Sequence, residues 1–127
     1  MAKKKAALVV FCDYPPDRSE EFESWYMHTH LPDLKNTKGL VRARRFIGRN
    51  YPQEGPAQTM TLYEFETDDI NESLTELMVT AGNASTVGRH IDVYPLVGMY
   101  SWEEIDPETI KPLTKEQLSK YPNAPQE

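Results

Sequence analysis

A chain of 127 residues has room for one domain whose core buries roughly two-thirds of the unfolded surface. Its 14 Lys and Arg against 20 Asp and Glu leave a net charge of −6, a field that repels nucleic-acid phosphate and anionic lipid, so neither nucleic acid nor membrane is an expected partner; Lys3 to Lys5 is too short a basic run to reverse this. The single cysteine, Cys12, excludes an intramolecular disulfide and suits a buried thiol in a reducing cytoplasm, no stretch reaches the roughly 18 apolar residues of a membrane span, and no targeting segment is read at the start.

Ala6 to Asp13 is a continuous apolar run, rich in Val and Phe and closed by Tyr14-Pro15-Pro16, which predicts a buried first strand. Asp17 or Ser19 is then placed to cap a helix whose first turns carry Glu20, Glu21 and Glu23. Phe22, Trp25, Tyr26 and His30 recur at steps of three and four, so that face turns inward. Pro32 has no amide to offer the His28 carbonyl and clashes with it, so the helix kinks or ends there, leaving an irregular turn that bears His28 and His30. Gly39 is placed as a stop, and Leu40 to Gly48 reads as the second strand.

Arg49 to Gln58, with Asn50, Pro52, Gly55 and Pro56, is a loop between antiparallel strands. Thr59 to Glu66 alternates as a third strand, with Thr61, Tyr63 and Phe65 on one side. Thr67 and Asp68 have the character of a cap, and Ile70, Leu74, Leu77 and Met78 form one face of a second helix that stops near Gly82. His90 to Trp102 has period-two character and is read as strand four. Beyond it the chain is acidic and broken by Pro107, Pro112, Pro122 and Pro125, with room for a turn at Thr114 to Lys120; it is either a disordered tail or an arm that wraps a neighbouring subunit.

This order, βαββαβ, predicts an α+β, ferredoxin-like domain over residues 1–105, an antiparallel sheet with two helices on one face, followed by a proline-containing acidic tail over 106–127. The other sheet face is left uncovered and apolar, which points to a homodimer packing sheet against sheet.

Trp25-Tyr26, then His30-Leu31-Pro32, then Gly39 with Ala43-Arg44-Arg45-Phe46 resembles the dimeric α+β barrel superfamily, in particular its EthD-like branch, with a WY-x3-H-x-P segment followed by an arginine-rich strand. The chain departs from that pattern at Lys38, where a proline commonly precedes the glycine, and in carrying His28 and the tail. The resemblance implies a dimeric barrel and a place among polyketide cyclases, isomerases, decarboxylases, chlorite- and haem-linked enzymes and members without established activity, with bacterial breakdown of aromatic compounds as the setting; fold alone does not choose between them.

The chemistry concentrates where the first helix meets the second strand. An imidazole at the end of a kinked, inward-facing turn is suited to general acid–base work, so His30 is the first candidate catalyst, with His28 and Tyr26 as assistants. On an ideal helix His28 points away from His30, and the H-x-H spacing, normally a strand signature for metal, lacks nearby carboxylate or thiol ligands; no metal and no cofactor is expected. Neighbouring strand residues leave opposite faces, so Arg42 and Arg44 are expected to face the pocket together, while Val41, Ala43 and Ile47 pack. An enclosed guanidinium needs an anion, from an internal acid or from a substrate carboxylate. Trp25, Tyr26, Tyr63 and Tyr94 are candidates for a ring-sized slot, with Trp25 and Tyr94 assigned to substrate.

The expectation from sequence is therefore a cofactor-free enzyme moving a proton on a small unsaturated or aromatic-derived carboxylate, foremost an isomerase. Decarboxylation, cyclisation or ester hydrolysis would use the same groups. A non-catalytic dimeric acid-binding protein and a purely structural dimer seam are the readings from other classes.

Overall fold

The computed structural model describes residues 3–121; Pro122 and Pro125 of the expected tail lie outside the described residues. Strand β1 (Lys4–Cys12) lies between β3 (Thr59–Thr67) and β4 (Leu96–Glu103), and β2 (Leu40–Ile47) pairs outside β3, giving the antiparallel order β2-β3-β1-β4. The helical layer comprises α1 (Ser19–Trp25), a π-helical turn (Tyr26–His30), α2 (Leu31–Leu34) and α3 (Ile70–Thr86). Ala6, Leu8, Val10 and Cys12 of β1 alternate into the layer between sheet and helices, where they meet Thr61, Tyr63 and Phe65 of β3 and Phe22, Tyr26 and Leu34 from the helices. The period-two burial of β1 and β3 is what a sheet with one covered face requires.

The opposite face carries Ala7, Val9 and Phe11 of β1, Met60 and Leu62 of β3, Phe46 of β2, and Tyr100 and Trp102 of β4. Trp102, Tyr100 and Phe46 are all exposed, so this chain alone leaves an apolar sheet face in water.

Several boundaries differ from expectation. The N-cap of α1 is Arg18 rather than Asp17 or Ser19; Asp17 occupies a left-handed conformation in the turn, and Arg18 instead bridges Glu21 and Asp92. The cap of α3 is Asp69, one residue beyond the expected pair, and its carboxylate accepts from the Glu72 amide at 3.0 Å. Helix α3 also runs through Gly82, because a single glycine costs a helix only about 1 kcal/mol. It stops at Gly88, whose positive φ completes a Schellman motif: the Gly88 amide donates to Ser85 and the Arg89 amide to Ala84. Strand β4 therefore begins at Leu96, not at His90, and the irregular segment 89–95 is free to fold back over the helices.

Gly39 ends the first helical run as expected, at φ 81°; a Cβ there would lie 2.8 Å from the Thr67 Cβ. Past β4 the chain forms a 3-10 turn (Pro107–Thr109) and one capped turn, α4 (Lys115–Leu118), and nearly all of it is exposed.

Candidate functional site

Pro32 shapes the first wall of the site. With no amide to give, it breaks the i to i−4 ladder, and the Leu31 amide reaches back five residues to the Tyr26 carbonyl. The expected kink is thus one π turn inside a continuing helix. It buries Tyr26 and His30 on the inner side and leaves His28 exposed on the outer side. His28 does not join His30, and among the described residues no group of three or more His, Cys, Asp and Glu is arranged to hold a metal.

His30 is 5% exposed. Its ring stacks on Trp25, with centroids 4.5 Å apart, and meets Tyr26 edge-on at 5.0 Å. Burial, and after it the neighbouring His90, lowers its pKa from 6.5 to about 4, so at neutral pH it is an uncharged imidazole.

His90 supplies the second imidazole, 5.5 Å from His30 between centroids. The sequence reading placed it at the start of a strand and gave it no role. It is delivered by segment 89–95, which three contacts pin to the first helical run. The Trp25 indole donates to the Arg89 carbonyl at 2.9 Å, Arg89 forks onto Asp33 at 2.7 and 2.9 Å, and Arg18 reaches Asp92 at 2.6 Å. His90 Nδ1 lies 2.9 Å from the Ile91 carbonyl, which can only accept; Nδ1 therefore carries the proton, and in the neutral ring Nε2 is left with a lone pair.

Below the imidazoles sit three tyrosines. The Tyr26 hydroxyl is 3.2 Å from that of Tyr63 and 2.9 Å from that of Tyr94. Burial raises the pKa of all three, so they remain protonated donors. His30, His90, Tyr63 and Tyr94 line one cavity of about 150 Å³, and its other walls are Leu8, Val10, Leu34, Leu77, Met78, Ala81 and Met99. The volume suits a single six-membered ring. No Asp, Glu, Lys or Arg lines this cavity among the described residues.

The arginines are placed otherwise than expected. Pocket and packing share one face of the sheet, and Arg45 occupies that face beside Ala43 while Arg42 and Arg44 lie on the open one. A register shift between Leu40 and Arg42 sets the phase of the strand. The Arg45 side chain is 7% exposed and pairs with Glu23, with Nε donating to Oε1 at 3.0 Å; it also donates to Thr61 Oγ1 at 3.1 Å and lies 4.2 Å above the Tyr26 ring. Burial opposes its charge, and the Glu23 carboxylate more than restores it, leaving the Arg45 pKa above its ordinary value. Arg42 and Arg44 both pair with Glu64 on the open face, beside a shallower hollow of about 600 Å³ that Trp102 and Leu62 also line.

Of the residues singled out from sequence, the structure gathers His30, Tyr26, Trp25, Tyr63 and Tyr94 in one place. It separates His28, Arg42 and Arg44 from them, and adds His90 and Arg45.

A four-stranded antiparallel sheet in the order β2-β3-β1-β4, helices on one face and a cavity between the layers define the ferredoxin-like α+β class. More particularly, the chain takes the EthD-like fold. It resembles the crystal structure of an ethyl tert-butyl ether D (EthD) family protein from Bacillus halodurans, at 19% identity and a TM-score of 0.55 over 80% of this chain and 99% of that one. It also resembles HapK from Hahella chejuensis, at 10% identity and a TM-score of 0.56 over 79% of this chain and 92% of that one. At these identities the likeness is one of fold. No family model matches the chain, and no curated protein sequence does.

Proposed function

We propose that the protein is an acid–base enzyme that moves a proton on a small, uncharged, ring-sized carbonyl compound, with isomerisation as the reaction class. The observation that carries this reading is the pairing of His30 with His90 on an apolar cavity: an imidazole that burial keeps neutral faces a second one whose tautomer a backbone carbonyl fixes. On an unsaturated ring ketone, His30 takes a proton from the carbon between the carbonyl and the double bond, the electron pair delocalises onto oxygen as a dienolate, and His30, directly or by way of the His90 Nε2 lone pair, returns that same proton to the far carbon of the former double bond. Atoms balance, and no oxidant is consumed. The carboxylate expected from sequence has no place in this proposal, because the two guanidiniums meant to hold it are engaged with Glu64 on the far side of the sheet.

We further propose that two copies pack through their open sheet faces, since Trp102, Tyr100 and Phe46 are otherwise left in water.

The enzymatic reading is tested by deuterium exchange into cyclohexanone in D2O, followed by NMR. Wild-type protein accelerates exchange over buffer, His30→Gln abolishes the acceleration, and His90→Gln reduces it at least tenfold. Equal rates for wild type and His30→Gln would remove the histidine from the chemistry.

A further inference from the structure

Three hydroxyls carried by residues on or behind the cavity wall are not used by the histidine chemistry. Tyr26 stands between Tyr63 and Tyr94, at 3.2 and 2.9 Å. The buried Thr61 hydroxyl accepts from Arg45 and turns its own proton to Tyr26, so the two contacts between tyrosines use two of the three tyrosine protons and one is left over. Hydrogen-bond chains polarise in one direction, which puts the spare proton at an end rather than in the middle. Both ends, Tyr63 and Tyr94, line the cavity, and Tyr26 does not. Tyr94 is the more accessible end and makes the shorter contact with Tyr26. The Cys12 thiol beside Tyr94 is a weak acceptor and does not compete with an oxygen. Tyr26 is itself held in place: the Arg45 guanidinium lies over its ring, fixed by Glu23 and Thr61.

We propose that the Tyr63–Tyr26–Tyr94 hydroxyl chain is the oxygen-binding subsite of this cavity, Tyr94 donating its uncommitted proton to the carbonyl oxygen of an uncharged one-ring ligand. Tyr63 and Tyr26 are positioning residues that hold the donor in line. The placement rests on the reading of the cavity as the substrate site and deepens it: the oxygen docks at the tyrosines and the acidic carbon lies against the imidazoles. Fixed donors aimed where negative charge develops stabilise an enolate more than the ketone from which it forms.

The probes are cyclohexanone and methylenecyclohexane, which share size and shape and differ in the acceptor oxygen. In NMR titrations of the full chain, wild type binds the ketone about tenfold more tightly than the hydrocarbon, within the range of one hydrogen bond. Tyr94→Phe brings the two affinities together, Tyr63→Phe narrows the gap by a smaller factor, and hydrocarbon binding is unchanged in both, which certifies that the cavity is intact. A ketone preference that survives both substitutions, or that is absent from wild type while the hydrocarbon binds, overturns the subsite. Failure of both probes to bind overturns the cavity as a substrate site as well. Ketone preference without catalysed exchange sinks the proton-transfer reading and leaves the subsite standing.

Discussion

Replacing His30 with glutamine removes an imidazole that folding forbids to ionise, and the effect on stability has a sign and a size. In the unfolded chain the ring titrates near 6.5; folded, it titrates at about 4. Between those values the unfolded state binds a proton that the folded state refuses, so stability is full above the unfolded value and is lost as pH falls towards the folded one. At 1.36 kcal/mol per unit the accumulated loss is about 3 kcal/mol, a large share of a small domain's total stability. Urea unfolding followed by circular dichroism at pH 7, 6, 5 and 4 should show wild type losing about 3 kcal/mol more than His30→Gln over that interval. Stabilities that fall in parallel would mean that the ring is free to protonate in the folded state, and the depressed pKa would have no basis.

The buried ion pair gives a second prediction: Glu23→Gln leaves the Arg45 guanidinium enclosed without its counter-charge and lowers the unfolding free energy by about 3 kcal/mol, whereas Arg42→Ala, on the open face, leaves the urea midpoint unchanged. Gly39→Ala both strains a left-handed backbone position and drives a Cβ against Thr67, so thermal unfolding falls by more than about 1 kcal/mol. For the open face, Trp102→Glu places a charge in the apolar surface, and sedimentation velocity should show a dimer giving way to monomer; an unchanged sedimentation coefficient would argue against sheet-to-sheet packing.

The parts of this molecule that were readable from sequence are the ones written in local periodicity. A continuous apolar run closed by prolines marked β1, a period-two run marked β3, the spacing of Phe22, Tyr26 and His30 marked the inner helix face, and Pro32 marked the irregular turn, because sterics and missing donors act within a few residues. Arg45 was passed over for Arg42 and Arg44 because its cost of burial is offset by Glu23, a partner on another element that nothing local reveals. The cavity that carries the imidazoles lies on the packing face rather than opposite it, as a gap within the packed layer itself. His90 escaped notice for a related reason: the ties from Trp25, Asp33 and Arg18 that fold segment 89–95 inward join residues far apart in the chain. The one usable hint was Gly88, whose role as a helix stop argues for a turn rather than a strand just before His90.

Where a ring-sized ketone sits can be observed directly. With cyclohexanone bound to isotope-labelled protein, intermolecular nuclear Overhauser effects should connect its methylene protons to the His30 and His90 rings and to the methyl groups of Leu34 and Leu77. Contacts instead to Trp102 and Leu62 would place the ligand in the hollow on the far side of the sheet, away from both imidazoles, and would contradict the site described above.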